Sequence, residues 1–441
     1  MISLIIGIAL VLSIVIGRKA KINIGLLAIS FAYIIGCFIL KISPSKVIAL
    51  WPMSIFFVIL AISLFFSFAI VNGTLGTLAG NLLYRFRSAP LVFPIAIFFI
   101  SVLIAALGAG YYTVMVIMAP IALIACKKIK INPLVGALCA DCGGQVGSNF
   151  MIGLSGVIYR NLITSEGFSS NLAFVASVSI FVVYLVMTCL IIMLLMHLSN
   201  KKRKQASGGN IEILETMDIQ KSKPFDKKQK TNLILIFIFV IILLIPPILH
   251  LVVPSSGSIT FINSSVDVGL IAIIFTVIAF VLHLGDEKSV IAKVPWNTLI
   301  MISGMGMLVA VAVKAGTVKL LANWVGTSIP VFLVPIALCL VAAILNMFGG
   351  SFVGVVAPAL FPIIASVSHI TGLNPILLYT CMTIGGLATG ISPFSAGGAM
   401  VLGFTPEKER DSMFSKEFFV GLPVCVGTAV VTSIIYFIIM H

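Results

Sequence analysis

A chain of 441 residues that is 60% hydrophobic and only 9% charged cannot hide so much apolar surface around one water-soluble core. Apolar runs of about 17 to 25 residues, the length that crosses a bilayer, recur from end to end, so lipid is the solvent and a soluble globular fold is excluded. The net charge of +14 gathers in short loops and in a tract from Lys201 to Lys230, which is a positive-inside distribution and not a nucleic-acid patch.

The first run, Ile2 to Ile16, has neither a basic leader nor a small-residue cleavage site and reads as a retained span. Arg18, Lys19 and Lys21 follow it and mark an inside loop. Further spans are expected over Ile22 to Leu40 and Val47 to Val71. From Asn72 to Tyr84, Leu75, Leu78, Leu82 and Leu83 recur at helical spacing, as in a helix lying at the membrane interface.

Ala89 to Cys126 is one long apolar stretch with basic residues at both ends: Arg85 and Arg87 before it, Lys127, Lys128 and Lys130 after it. Both ends then lie inside. Each arm has only about 18 residues, the lower limit for a crossing, and the middle, Leu107 to Thr113, carries no charge. Two short spans with a tight turn fit this pattern, and so does a re-entrant hairpin; the hairpin is the preferred reading. A span from Ile131 to Tyr159 follows, broken by Gly143-Gly144-Gln145-Val146-Gly147-Ser148-Asn149. Arg160 and Glu166 sit outside, and Asn171 to His197 returns inside.

The stretch 199–230 carries nine basic residues and reads as a cytoplasmic linker between two repeats, 1–198 and 231–441. In the second repeat the expected spans are Thr231 to Val252, Asp267 to Leu284 and Pro295 to Val313. A second long stretch runs from Ile329 to His369, a glycine-broken span from Gly372 to Phe404, and a last span from Glu417 to Met440. This topology puts 22 of the 27 Lys and Arg residues inside. It predicts a multi-pass protein of the cell inner membrane with both termini outside.

The two halves resemble each other. At an offset of 242 residues Gly108 falls on Gly350, Pro120 on Pro362, Asn132 on Asn374, Pro133 on Pro375, Cys139 on Cys381, Gly143 on Gly385 and Gly144 on Gly386. Trp51 resembles Trp296, and Gly73-Thr74 resembles Gly316-Thr317. An odd number of crossings, five, separates equivalent points, so the copies have opposite orientation. Inverted repeats are a signature of secondary transporters. The expected fold is all-α and polytopic: two inverted-topology repeats, about 10 full spans, and two re-entrant hairpins with broken helices at mid-membrane.

Breaks in lipid survive only against protein or water-filled cavities. Four are expected: Gly108 to Thr113, Gly143 to Asn149, Asn346 to Ser351, and Gly385 to Ser395. Half-helix N-termini there can hold an anion. The candidate substrate residues are Gly110, Tyr111, Tyr112, Thr113, Ser148, Asn149, Asn346, Gly350, Ser351, Thr389, Ser392 and Ser395. Freed carbonyls can ligate Na⁺, with Gly143, Gly144, Gly147, Gly385, Gly386 and Gly390 as candidate coupling-ion positions. Asp141 is the one acid set deep in an apolar run and is the candidate for cation or proton binding. No Lys or Arg is expected near the breaks. Ser179, in an unbroken span, is expected to tolerate change. The eight cysteines lie in apolar runs and read as packing residues, Cys139 and Cys142 included.

The segments Ile22-Asn23-Ile24-Gly25-Leu26-Leu27-Ala28 and Asn72-Gly73-Thr74-Leu75 resemble the dicarboxylate carrier family of the malonate-carrier type. That family lies in the ion transporter superfamily, with the divalent anion/sodium symporters. The symporters' broken helix, Gly-Gly-x-Ala-Thr-Pro, is similar to Gly385-Gly386-Leu387-Ala388-Thr389 and in part to Gly143-Gly144 with Ser148-Asn149. The symporters' Ser-Asn-Thr hairpin tips are replaced by Gly110-Tyr111-Tyr112-Thr113 and the region of Ser351. The resemblance implies a di- or tricarboxylate substrate, such as malonate or a four-carbon dicarboxylate, cation coupling by Na⁺ or H⁺, and elevator-type movement. An inorganic-ion carrier or antiporter of the same superfamily, for arsenite or for Na⁺ and H⁺, is the alternative. An enzyme is not expected, since no Ser–His or paired-Asp set lies in the spans, and no phosphate-binding loop points to ATP-driven pumping. No cofactor is expected beyond Na⁺ as a coupling ion. The expected partners are a small anion and the bilayer, with a homodimer as an alternative to a monomer.

Overall fold

The computed structural model describes residues 2–86, 88–89, 92–206, 223–253, 256–349 and 351–440. Arg87, Gly350 and residues 207–222 of the linker lie outside them. Among the described residues all regular secondary structure is helical. Among the described residues seven helices are long and apolar enough to cross a membrane, or eight if Gly257–Ser265 and Val268–Val281, bent by 67° at their junction, make one crossing. Four shorter apolar helices join them: Ile2–Gly17, Ile24–Ile39, Val331–Met347 and Pro375–Leu387. Lys21, Lys41, Lys130 and His283 take φ of 56°, 55°, 54° and 54°; this left-handed turn ends the preceding helix, as a C-terminal glycine does elsewhere.

The basic, apolar stretch that starts near Ala89 folds back on itself. Its first arm, Phe93–Ile104, ends in a kink at Leu107 and Gly108, where Gly108 has φ of 90°. The second arm is Gly110–Lys128. Both arms lie along the helix Pro133–Ser148. Phe98 packs on Gly143 and Val102 on Gly147, so the first arm climbs toward Ser148. Tyr111 packs on Gly144, and Ala122 and Cys126 on Gly136, so the second arm descends. The second half repeats the pattern. Val334–Gly349 lays Cys339 on Gly385, and the returning arm, Phe352–Thr371, lays Phe352 on Gly386. Lower down, Phe361 meets the ring of Tyr379 at 4.8 Å.

Glycine makes this packing possible. A Cβ at Gly143 would lie 2.6 Å from the Phe98 carbonyl oxygen; small residues let membrane helices approach backbone to backbone. As a result Pro133–Ser148 is buried from Leu134 to Ser148, and Pro375–Leu387 from Leu377 to Leu387. The breaks therefore fall later than the glycine pairs suggest. Gly143, Gly144, Gly147, Gly385 and Gly386 sit inside intact helices, and the chain leaves helical geometry only at 149–153 and 388–395.

Local structure recurs between the halves in detail. Asn132 and Asn374 each cap the following helix by accepting a backbone N–H, from Leu134 at 3.1 Å and from Ile376 at 2.9 Å. Gly73 and Gly316, with φ of 74° and 76°, each start a helix of 12 residues, Thr74–Arg85 and Thr317–Ser328. Those follow helices of 19 residues, Met53–Val71 and Trp296–Lys314. In Thr74–Arg85 the residues Leu75, Ala79 and Leu83 are buried on one face, as an interfacial helix requires.

The halves also interlock. Ile24–Tyr33 packs on Trp296–Lys314, and Val268–Val281 packs on Met53–Val71. A Cβ at Gly25 would meet Met301 Cα at 2.6 Å; one at Gly269 would meet Phe57 Cε1 at 3.1 Å. Each half thus lends one helix to the 19-residue helix of the other, Met53–Val71 or Trp296–Lys314.

Candidate functional site

Four helices begin at one place. Gly110–Lys128 starts at the first kink, Leu154–Ser165 at the end of the 149–153 break, Phe352–Thr371 after Ser351, and Ala396–Phe404 after Ser395. Their first turns wall a cavity of about 180 Å³. Gly110, Tyr111, Tyr112 and Thr113 line it from the first turn-back, Leu154 and Ser155 from the first break, Ser351, Phe352 and Val353 from the second turn-back, and Ser395, Ala396 and Gly397 from the second break. Ser351 and Ser395 accept from the backbone N–H of Gly354, at 3.1 Å, and of Gly398, at 3.3 Å. Helix N-termini carry a partial positive charge, so four helix starts at one cavity favour an anion there without any side chain.

The C-terminal ends of Pro133–Ser148 and Pro375–Leu387, and of the outgoing arm Val334–Gly349, supply further polar groups. Ser148, Asn149, Asn346 and Gly390 line the cavity. Asn149 is 1% exposed, and both atoms of its amide lack a hydrogen-bond partner, as does the Ser148 hydroxyl. A buried amide with all its bonds unmade is costly, and it is available to a ligand. Asn346 is different. Its Nδ2 donates to Gly386 O at 2.7 Å and Thr389 Oγ1 at 3.0 Å, and Thr389 in turn donates to Gly386 O at 2.9 Å. Thr389 and Ser392 are buried and do not line the cavity. They tie the second break together from behind, Ser392 by accepting from Phe394 N and Ser395 Oγ.

Asp141 also stands behind the wall, one bond from it. Tyr111 Oη donates to Asp141 Oδ1 at 2.5 Å and Gln145 Nε2 to Asp141 Oδ2 at 2.8 Å. Tyr184, on the long helix Ser170–Ala206, donates to Gln145 Oε1 at 3.1 Å and lies 3.4 Å from the Leu387 carbonyl. Tyr111 and Gln145 both line the cavity, so the carboxyl group is joined to it through two side chains.

Several lining residues escaped the reading of the sequence. Lys293, in the turn before Pro295, lines the cavity, so a cation does stand near the breaks. Thr298, Ser63 and Ser67 also face it from the two helices of 19 residues. Ser63 and Ser67, four apart in an otherwise apolar run, share one helix face, and that spacing was the available signal. Lys293 gave none, because a lysine before a span looks like an ordinary loop charge.

Interlocked helices, paired turn-backs and two broken helices thus enclose a cavity whose largely apolar wall carries a few convergent polar groups and four helix starts. The family model described as the sodium:sulfate symporter transmembrane region matches residues 157–439, more than half of the chain, and that for the dicarboxylate carrier protein MatC N-terminus matches residues 1–148. The chain belongs to the sodium:sulfate symporter family, and its N-terminal third is similar to that of the dicarboxylate carriers. It is similar in structure to the YdaH transporter of Alcanivorax borkumensis, at a TM-score of 0.60 and 18% identity over 88% of this chain and 86% of that one. It is also similar to MtrF of Neisseria gonorrhoeae, described within a class of antimetabolite efflux pumps, at 0.58 and 13% over 91% and 83%. No curated protein matches the sequence.

Proposed function

We propose that this protein is a secondary active carrier of a small organic anion, a di- or tricarboxylate such as malonate or a four-carbon dicarboxylate. The observation that carries the reading is the convergence of four helix N-termini on one cavity. Such termini bind carboxylate and phosphate oxygens in many settings, and Asn149, Thr113 and Ser351 add neutral donors around them. Lys293 at the edge supplies one full positive charge, suited to the second carboxylate of a dianion. The cavity is smaller than the roughly 300–1,000 Å³ of drug-sized sites, which suits an anion of a few carbons.

Elevator-type movement is the mechanism best matched to this geometry. The turn-backs and broken helices would travel as one body, because glycine contacts bind them together. The reciprocal contacts of Gly25 and Gly269 are what a two-fold axis between inverted repeats produces, and they support reading the paired turn-backs as re-entrant hairpins. A coupling cation, H⁺ or Na⁺, would offset the charge of the anion.

Sulfate is the competing ligand, since the same helix termini accept any divalent oxyanion and the larger family match is to sodium:sulfate symporters. Counterflow in proteoliposomes separates the two. Internal malonate, succinate, citrate or sulfate is tested for exchange with radiolabelled external anion. Exchange with carboxylates and not with sulfate is the expected result; the reverse would overturn the organic-anion reading.

A further inference from the structure

Glu417 opens the turn Glu417–Gly421 that leads into Leu422–Met440. The sequence places it at the end of a span, where water would solvate it. The structure buries it completely, and neither carboxyl oxygen has a hydrogen-bond partner among the described residues. Its neighbour Phe418 packs with Phe394 and Phe414, at 5.7 Å and 6.3 Å between ring centroids, and so closes that side. One turn on, Gly421 lies against Pro133–Ser148 and the second break: a Cβ there would be 3.3 Å from Leu134 Cδ1 and 3.5 Å from Ile391 Cγ2. Asp141 lies two turns along from Leu134 on the same helix.

The other titratable groups in this neighbourhood do not donate to it. Cys139 and Cys142 share the helix of Asp141, Tyr111 and Tyr184 surround Asp141, and Cys425 lies two turns along its own helix. Arg410 donates to the Thr405 carbonyl, Glu409 pairs with Lys127, Asp411 is exposed and Lys416 is half-buried. A bare carboxylate does not persist in such a place; a neutral carboxylic acid does. Asp141, by contrast, has a donor on each oxygen.

We propose that Glu417 is the proton-carrying group of this carrier. The inference rests on the transport reading above. When the turn Glu417–Gly421 opens to water, the Glu417 carboxylate takes a proton from bulk solvent. The neutral acid is the form that the closed, dry site accommodates, and the proton returns to water on the other side. One proton thus moves with each anion, and no other reactant is needed.

The test uses the full chain in proteoliposomes with radiolabelled malonate and succinate, without added Na⁺. Two quantities are measured: counterflow exchange, which needs no driving ion, and accumulation under an inward pH gradient. The native protein should do both, a gradient of one pH unit giving about tenfold accumulation per coupled proton. Glu417→Gln should exchange yet lose that accumulation, and Glu417→Asp, which keeps a titratable group, should restore part of it. Accumulation by Glu417→Gln equal to native would overturn the proposal. If that variant does not insert, the native protein decides: alkalinisation of the medium with each anion pulse supports the proposal. Accumulation that follows a Na⁺ gradient and ignores pH overturns it but leaves the transport reading standing. Absence of exchange by the native protein for every anion would overturn both.

Discussion

Tyr111 Oη and Asp141 Oδ1 are 2.5 Å apart, and through this bond the only acid deep in Pro133–Ser148 is connected to the substrate cavity. The tyrosine belongs to the first turn of the returning arm, so only a shift of that arm relative to Pro133–Ser148 would stretch or break the bond. Tyr111→Phe keeps the ring and leaves Asp141 Oδ1 without a donor. A lost bond to a charged group costs about 1.5–3 kcal/mol. Initial uptake rates should fall about tenfold to a hundredfold with normal insertion; unchanged rates would mean the bond is incidental.

Asn149 and Thr389 were expected to face one cavity, and the structure separates their roles. Asn149 presents an unbonded amide to the cavity, whereas Thr389 holds Asn346 from behind. Asn149→Leu should therefore weaken apparent affinity about tenfold to a hundredfold, again the worth of a charged hydrogen bond. Thr389→Val should lower thermal stability in detergent by about 1 kcal/mol with a smaller change in affinity. Equal effects on affinity would contradict the division. Ser179 is not a neutral control, since its hydroxyl lies 2.8 Å from that of Thr380 and 2.6 Å from that of Tyr436.

Lys293 should discriminate by ligand charge. Lys293→Gln is expected to raise KM for a dicarboxylate about three- to tenfold and to leave a monocarboxylate nearly unaffected, as expected of an exposed charge acting over a short range. Measuring both KM values at two salt concentrations checks this. A loss independent of ligand charge and salt would show that the lysine only packs.

The orientation of the halves is open to chemistry. A cysteine at Gly372 should react with impermeant thiol reagents from outside, and one at Lys130 only from inside. Both positions follow the returning arms of their repeats, so equal sidedness would rule out inverted topology.

Glu166, in the turn after Leu154–Ser165, is shifted by burial from its ordinary 4.5 to about 7. Because the folded value is the higher one, its contribution to stability is fully present below about 4.5 and is lost as pH rises through about 7. Melting temperature in detergent should therefore decline between these values and more steeply than for Glu166→Gln. Parallel pH curves for the two proteins would show that Glu166 does not set the slope.

The architecture was legible where composition and pattern decide it. Apolar runs marked the helices, and the Asn-Pro pairs 132–133 and 374–375 marked the repeat because each asparagine caps a helix in the same way. The first break was expected at 143–149 and lies at 149–153, and the second, expected over 385–395, begins only at 388, because glycine has two uses in lipid. At Gly143 and Gly385 it admits a neighbouring backbone, and only farther along does the chain actually leave the helix. Lys293 and Glu417 could not be found by pattern at all. Each lies at the edge of a span, and only packing from distant parts of the chain turns one toward a cavity and buries the other.

The exchange of helices between halves bears on biogenesis. Gly25 finds its partner at Met301, so the glycine face of Ile24–Tyr33 stays uncovered in the bilayer until Trp296–Lys314 has left the ribosome. Contacts between parts so distant in sequence are slow to form and leave surface exposed meanwhile. The N-terminal half made alone should therefore be unstable in the membrane and prone to degradation, and separately expressed halves should rescue each other only when synthesised together.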